Sequence, residues 1–380
     1  MKIGIVSQYY PPEPANIPAQ LAEGLRDRGH DVRVITGYPN YPEGKLYPSF
    51  KRRKREIRGG IRVRRIPLFI DHSQSALKRM LNYVSFGFSV AAHRRLLADC
   101  DIIYVYATQP TPALGLMGLP YVLHVQDLWP DTIVGSGMTG RAGRVIERAL
   151  TPWLRRLYQR ARAVIGISPT MTGTLVRRGA PADRAHFVYN WANEGVTPTG
   201  ENLLPRRGIV YAGNLGEMQA LDTVVEAARI SGEHVYLVGA GTQEAHLREI
   251  APENVTFVGR VQPEQMGDVN AQSDFQVVSL RDLPLFRFTI PSKTQNALAA
   301  GIPVIAAVPG DVAHIITENG LGFAVPPEDP EALAEAFQAA AALSDEERAA
   351  MGVRARQYYE ANMSLQAGID QIETILEAQK

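Results

Sequence analysis

Three stretches of the sequence place groups able to bind an anion where chain turns follow short apolar runs. Gly213-Asn214-Leu215-Gly216 follows a strand expected over Ile209–Ala212 and leads through Gln219 into a helix expected near Ala220–Arg229. Glycine there lets backbone N–H groups approach a phosphate. Pro291 and Ser292 are expected to cap a helix over Lys293–Ala300, which Gly301 ends. Lys293 then stands in the first helical turn, where a cation opposes the helix dipole; a bound diphosphate gives it a reason, and the alternative is a solvated surface lysine. Arg287, six residues earlier, is a second phosphate candidate. Gly239-Ala240-Gly241, after a strand expected over Val235–Val238, lacks the third glycine of a dinucleotide fingerprint and is weak alone.

A second group of polar residues lies in the first half. His124-Val125-Gln126-Asp127-Leu128-Trp129-Pro130-Asp131 closes a strand expected over Tyr121–Val125. His124 suits hydrogen bonding to a hydroxyl, and Asp127 suits accepting or orienting a proton. The plainer alternatives are a satisfied half-buried histidine and a turn cap. The turn Pro11-Pro12-Glu13-Pro14-Ala15-Asn16-Ile17-Pro18 follows the first strand, and Glu13 either orients a hydroxyl or is an exposed turn carboxylate.

The elements that must hold these residues alternate along nearly the whole chain. Strands are expected at Lys2–Ser7, Val32–Thr36, Ile61–Ile66, Ile102–Ala107, Tyr121–Val125 and Ala163–Ser168, with helices near Ala19–Arg28, Ala76–Ala98 and Gly143–Arg160. Periodicity lapses over Trp191–Arg207, expected to be a linker. A second series follows at Ile209–Ala212, Val235–Val238, Val255–Val258, Phe275–Ser279, Pro303–Ala306 and Gly322–Val325, with helix from about Pro330. Such alternation is the pattern of parallel sheets joined by crossover helices, and 380 residues suit two α/β domains facing across a cleft. The expected division is an N-terminal domain over 1–190, a linker over 191–207 and a C-terminal domain over 208–359, the last helix, about 360–380, packing back on the first domain.

Charge is uneven. Residues 1–190 carry 28 Lys and Arg against 13 Asp and Glu, and residues 191–380 carry 12 against 26. The basic residues are densest at Lys51-Arg52-Arg53-Lys54-Arg55, followed by Arg58, Arg62, Arg64 and Arg65, a run able to attract an anionic bilayer or polyphosphate, or to be a solvated loop. No aromatic platform interleaves it, so nucleic acid is not expected. A helix over Ser75–Ala98 joins Leu77, Met80, Leu81, Val84, Phe88 and Val90 to Lys78, Arg79, Arg94 and Arg95, an apolar stripe that core packing or membrane docking explains. The single cysteine, Cys100, excludes an internal disulfide framework, and no uninterrupted apolar run of about 18 residues suggests a spanning helix. A cytoplasmic protein, peripheral on the membrane at most, is the expectation.

The run from Tyr9 to Pro48, "NYVSF" at 82–86, "HVQDLWPD" at 124–131, "GNLGEMQAL" at 213–221 and "TIPSKTQNALAAGIPVIA" at 289–306 together resemble bacterial surface-polysaccharide glycosyltransferases of family 4, GT-B fold. The resemblance implies a nucleotide-sugar donor, with UDP expected, on the C-terminal domain. Gly213, Asn214, Gly216, Gln219, Gly239, Gly241, Arg260, Val261, Arg287, Ile290, Pro291, Ser292 and Asn296 would then hold the donor, with Asn16 reaching it from the N-terminal domain. It implies a glycan or polyprenyl-diphosphate-linked acceptor near Glu13, Asn82 and Trp129, and catalysis by Lys293, His124 and Asp127. Retention by front-face substitution, in which the leaving diphosphate takes the acceptor proton, is implied by the likeness alone. No metal is expected. Where many relatives have two glutamates, this sequence has Phe288 and Asn296, which leaves ribose and sugar to be recognised without charge. A nucleotide-sugar 2-epimerase of the same fold and a non-catalytic binder are the competing readings.

Overall fold

The computed structural model describes residues 1–42, 44–50, 54–71, 76–129, 131 and 141–380. Lys51, Arg52, Arg53, Ser75 and Pro130, named above, lie outside the described residues. The chain divides into two compact units, Met1–Tyr189 with Gly368–Lys380, and Asn190–Ala367.

The first unit is built on an eight-stranded sheet: β1 (Lys2–Ser7), β2 (Asp31–Gly37), β3 (Arg55–Arg58), β4 (Ile61–Ile66), β5 (Ile102–Ala107), β6 (Tyr121–Val125), β7 (Ala163–Gly166) and β8 (Ala185–Phe187). Their order is β3-β4-β2-β1-β5-β6-β7-β8, and every pair is parallel except β3 with β4. The inner strands read as near-continuous apolar runs, such as Ile102-Ile103-Tyr104-Val105-Tyr106-Ala107, because helices cover both sheet faces. Two strands were not expected from the sequence. The charged stretch 55–58 is an edge strand turned back by Gly59 and Gly60 at φ +52° and +80°, and β8 is three residues long.

The helix Asn16–Asp27 receives the final helix Leu365–Glu377 by close approach: a Cβ on Gly24 would stand 2.3 Å from Cδ1 of Ile369. Arg28 pairs with Asp370 and Glu373 at the same seam, and Nε2 of His30 meets Glu373 at 2.7 Å. The expected helix 75–98 is a helix Ala76–His93 followed by a 3-10 turn Arg94–Leu97. Its apolar stripe divides: Val90 is buried, Met80 and Val84 are half-buried, and Leu81 and Phe88 are 48% and 73% exposed. No helix among the described residues is long and apolar enough to cross a membrane.

The second unit carries a six-stranded parallel sheet of β9 (Gly208–Ala212), β10 (Val235–Val238), β11 (Val255–Gly259), β12 (Ser273–Ser279), β13 (Val304–Ala307) and β14 (Gly322–Val325), ordered β11-β10-β9-β12-β13-β14. The segment 191–207 packs here as a strap. Leu204 joins Val210 and Tyr236 in a buried cluster, and the Asp268 carboxylate accepts from Thr199 and from the Gly200 and Glu201 amides. Proline and glycine interrupt the periodicity, but side-chain hydrogen bonds replace a ladder.

Candidate active site

In the second unit the carboxyl ends of β9, β10 and β11 are laced together by main chain. Gly213 N–H donates to Val238 O at 2.8 Å, Gly239 N–H to Gly259 O at 2.8 Å, and Leu215 N–H to Ala240 O at 3.0 Å. Gly213 and Gly239 have φ of +149° and +139°, and a Cβ on Gly239 would lie 1.8 Å from Gly213 O. A Cβ on Gly241 would lie 2.3 Å from Leu215 O. Nothing larger than hydrogen fits at these contacts.

Lys293 reaches this cradle from the helix Ser292–Ala299. That helix starts one residue earlier than expected, and neither expected cap operates: Pro291 is the N-cap residue and makes no side-chain cap bond, because its ring offers no acceptor, and Ser292 is already helical. Nζ of Lys293 donates to the Tyr211 hydroxyl at 2.7 Å and to Oε1 of Gln219, and it lies 4.4 Å from the Tyr211 ring centroid. The Tyr211 hydroxyl in turn donates to Asn214 O at 2.7 Å. Burial lowers the lysine pKa to about 8. Among the described residues this ammonium has neutral partners and no carboxylate. Tyr211, the hydrogen-bond partner of Lys293, carries no polar signal in the sequence because it stands inside an apolar strand.

The other residues expected to meet a donor differ in exposure. Ile290 is buried, Asn296 and Arg260 are exposed, and Val261 is half-buried. Arg287 is exposed on a 3-10 turn and pairs with Asp282 at 3.3 Å.

In the first unit the carboxyl end of the sheet is a hydrogen-bonded polar layer. Glu13 is buried, not an exposed turn residue; its carboxylate accepts from the amides of Tyr10 (3.3 Å), Asn40 (2.8 Å) and Tyr41 (3.0 Å). Burial raises its pKa against these hydrogen bonds. The fully buried Arg65 guanidinium donates to the carbonyls of Tyr10, Pro11 and Gly37 and pairs with Glu56 at 2.7 Å. Glu13 and Arg65 thus hold the 9–15 loop, which delivers Asn16 to the exposed first position of its helix. Asn82 is buried with both amide ends engaged, accepting from Gln8 at 2.7 Å and donating to Phe69 O at 2.5 Å. Trp129 is buried edge-on to Tyr83, ring centroids 5.6 Å apart.

His124 is 0% exposed in β6. Its Nδ1 shares a hydrogen bond with the Tyr104 hydroxyl, and Nε2 is buried without a partner at hydrogen-bond distance. Burial, offset only in part by the backbone of Val188, pushes its pKa down to about 3, so the ring is neutral and is not placed at the surface. Asp127, just beyond the strand, is half-buried and burial raises its carboxyl to about 6. Like Glu13 in the same layer, it is held above the usual carboxylate range by burial. Between about pH 4 and 6 the folded protein keeps a proton that the unfolded chain releases, so this group's contribution to stability is present below that window and is lost as pH rises through about 6. We expect the melting temperature of the wild type to decline from pH 4 to pH 7 relative to Asp127→Asn; parallel pH profiles would show that the carboxyl titrates normally.

One cluster of metal-ligand type occurs among the described residues: His30, Glu373 and Glu377 place ligand atoms within 4.8 Å of one another. It lies at the seam with the final helix, already paired internally through Arg28, and not at the carboxyl ends of the strands.

Residues 14–191 match the model of the glycosyl transferase 4-like domain, and residues 206–342 that of glycosyl transferases group 1. WcaI of Escherichia coli (strain K12), named as a colanic acid biosynthesis glycosyl transferase, is 30% identical over 370 residues, covering 88% of this chain and 90% of its own. The chain belongs to the glycosyltransferases. A GDP-mannose-dependent alpha-mannosyltransferase of Mycobacterium tuberculosis is 24% identical, covering 86% of this glycosyltransferase and 84% of its own length. The crystal structure of Anabaena HepE in complex with UDP and glucose superposes with a TM-score of 0.68 at 16% identity, covering 100% of both chains. That likeness establishes the fold, GT-B, which the two parallel-sheet units of this glycosyltransferase share.

Proposed function

We propose that the enzyme transfers a sugar, with retention, from a nucleoside diphosphate donor held by the second unit to a lipid-linked or glycan acceptor in cell-surface polysaccharide synthesis. The observation that carries this is Lys293, a half-buried ammonium held over a backbone glycine cradle with no carboxylate partner among the described residues. A diphosphate completes that arrangement: it brings the missing negative charge and accepts hydrogen bonds from main-chain N–H groups. WcaI is named for colanic acid biosynthesis, and HepE binds UDP; both support a polysaccharide acceptor and a UDP donor, while the mannosyltransferase supports testing GDP.

In this reading the leaving diphosphate takes the proton of the acceptor hydroxyl as the glycosidic bond breaks on the same face. Lys293 stabilises the growing charge, and no resident metal takes part. Asp127 orients the acceptor hydroxyl on the first unit, and His124 supports that layer from beneath. A lipid-linked acceptor brings the enzyme to an anionic bilayer.

The test is release of nucleoside diphosphate from UDP- and GDP-sugars, with and without a polyprenyl-diphosphate-linked acceptor, in the presence of EDTA. Acceptor-dependent release with an axial anomeric product from an axial donor supports the reading. Epimerised nucleotide sugar formed without acceptor, inverted product, or loss of turnover on chelation would each overturn the corresponding part.

A further inference from the structure

We propose that the open face of the sheet edge formed by β2, β4 and β3 docks on an anionic phospholipid bilayer, seating a lipid phosphate between Arg55 and Arg64. The inference rests on the membrane-bound acceptor proposed above and assigns the surface that meets the membrane.

Strand alternation builds the surface. The register Arg55↔Arg64 and Ile57↔Arg62 across the hairpin, with Arg33↔Arg62 and Ile35↔Arg64 across β2 and β4, puts all six side chains on one face. A groove of about 700 Å³ opens over them, with Leu96 of the turn Arg94–Leu97 as one wall. Two of its cations are committed: Arg33 to Asp99 at 2.6 Å, and Arg62 to Asp31 at 2.6 Å. Arg55 and Arg64 form no ion pair among the described residues, and Nε of Arg64 is buried without a hydrogen-bond acceptor. A phosphate seated in the groove offers charge-assisted hydrogen bonds to the guanidinium heads of Arg55 and Arg64.

The same face is also apolar. Ile57 is 76% exposed and Leu96 39%, standing among the arginines. A single exposed apolar residue is ordinary, but alkyl groups interleaved with unpaired guanidiniums match an amphiphilic anion better than a free phosphate or a nucleic acid. The two exposed arginines Arg94 and Arg95 extend the basic rim beside Leu96. Arginine stems lie along apolar surface while their heads stay at headgroup depth.

The full-length protein is sedimented with vesicles of phosphatidylglycerol and phosphatidylcholine, and with phosphatidylcholine alone, at fixed ionic strength. Partition onto the anionic vesicles only is expected. Arg55→Gln with Arg64→Gln lowers it by at least about tenfold, from roughly fivefold per basic residue at such a surface. Ile57→Ser, at a site too exposed to affect folding, lowers it several-fold. Wild type that stays in solution, or an arginine variant with unchanged melting temperature that partitions like wild type, overturns the inference. Ile57→Ser indistinguishable from wild type also overturns it, in favour of plain electrostatic attraction. Turnover on a water-soluble acceptor analogue separates the two readings: it stays unchanged in these variants if only docking is lost, whereas vesicle binding without turnover of any nucleotide sugar refutes the proposed function and leaves the surface standing.

Discussion

Lys293→Met is expected to lower kcat by roughly two to three orders of magnitude, the range for removing one preorganised group from a site of developing charge. KM for the donor rises less, because the ammonium meets more negative charge as the glycosidic bond breaks than in the bound donor. Stability separates this from a folding defect. In the resting protein the lysine is a desolvated cation against neutral Tyr211 and Gln219, with its pKa lowered to about 8 by burial. Methionine keeps the packing of the stem on the Tyr211 ring and removes the desolvated charge, so the melting temperature stays level or rises. Steady-state kinetics beside differential scanning fluorimetry measure both; near-normal kcat would return Lys293 to an ordinary structural role.

The second large effect is steric. In Gly239→Ala the new methyl would meet Gly213 O at 1.8 Å, at a φ of +139° that L side chains avoid. The neighbour that must yield is itself fixed, since Gly213 N–H donates to Val238 O. Relief therefore opens the seam between β9 and β10, and the loss should reach about 3 kcal/mol, in the upper range for a single substitution. For a unit of this size that is a fall of roughly 6 to 12 °C in melting temperature. Donor affinity falls with it. Ala240→Ser, at an exposed neighbour, serves as control and should change stability by no more than about 0.5 kcal/mol. A Gly239→Ala protein that melts and binds like wild type would mean that the cradle relaxes freely.

The inner strands were legible because parallel strands covered on both faces are apolar almost without interruption; Ile102–Ala107, Tyr121–Val125 and Val235–Val238 stand where the sequence put them. The alternating strand Ile61–Ile66 and the edge strand Gly322–Val325 do so as well. What was missed lay at edges and caps. β3 has one apolar residue, Ile57, and gains its strand state only from pairing with β4, although Gly59-Gly60 signalled a hairpin. The helix Pro169–Arg177 had its signature in full, with Ser168 as N-cap accepting from Met171 N–H and Pro169 in the first turn, but the preceding apolar run suggested a longer strand.

At the site, the glycine turns and Lys293 were readable from local order. Their joining was not, because Tyr211, Gln219 and Lys293 meet only when the Lys293 side chain reaches back across the sheet from a helix some eighty residues later. Glu13 illustrates the same difficulty. Among prolines it reads as a surface carboxylate, yet its three amide partners include Asn40 and Tyr41, brought by a different loop. His124 was identified as polar at a strand end without any sign that Tyr104, twenty residues earlier on the neighbouring strand β5, would engage its Nδ1.

The seam of Gly213, Gly239 and Gly241 bears on how this enzyme can diverge. Its surface is main chain, so what is inherited at those positions is the lack of a side chain, while of the residues between them Asn214 and Ala240 are exposed and Leu215 is buried in the core. In a saturation library the segments 213–216 and 239–241 would therefore show a sparse substitution spectrum: glycine alone at 213, 239 and 241, apolar residues at 215, and wide tolerance at 214 and 240. New donor preferences can then arise by drift around an unchanged floor.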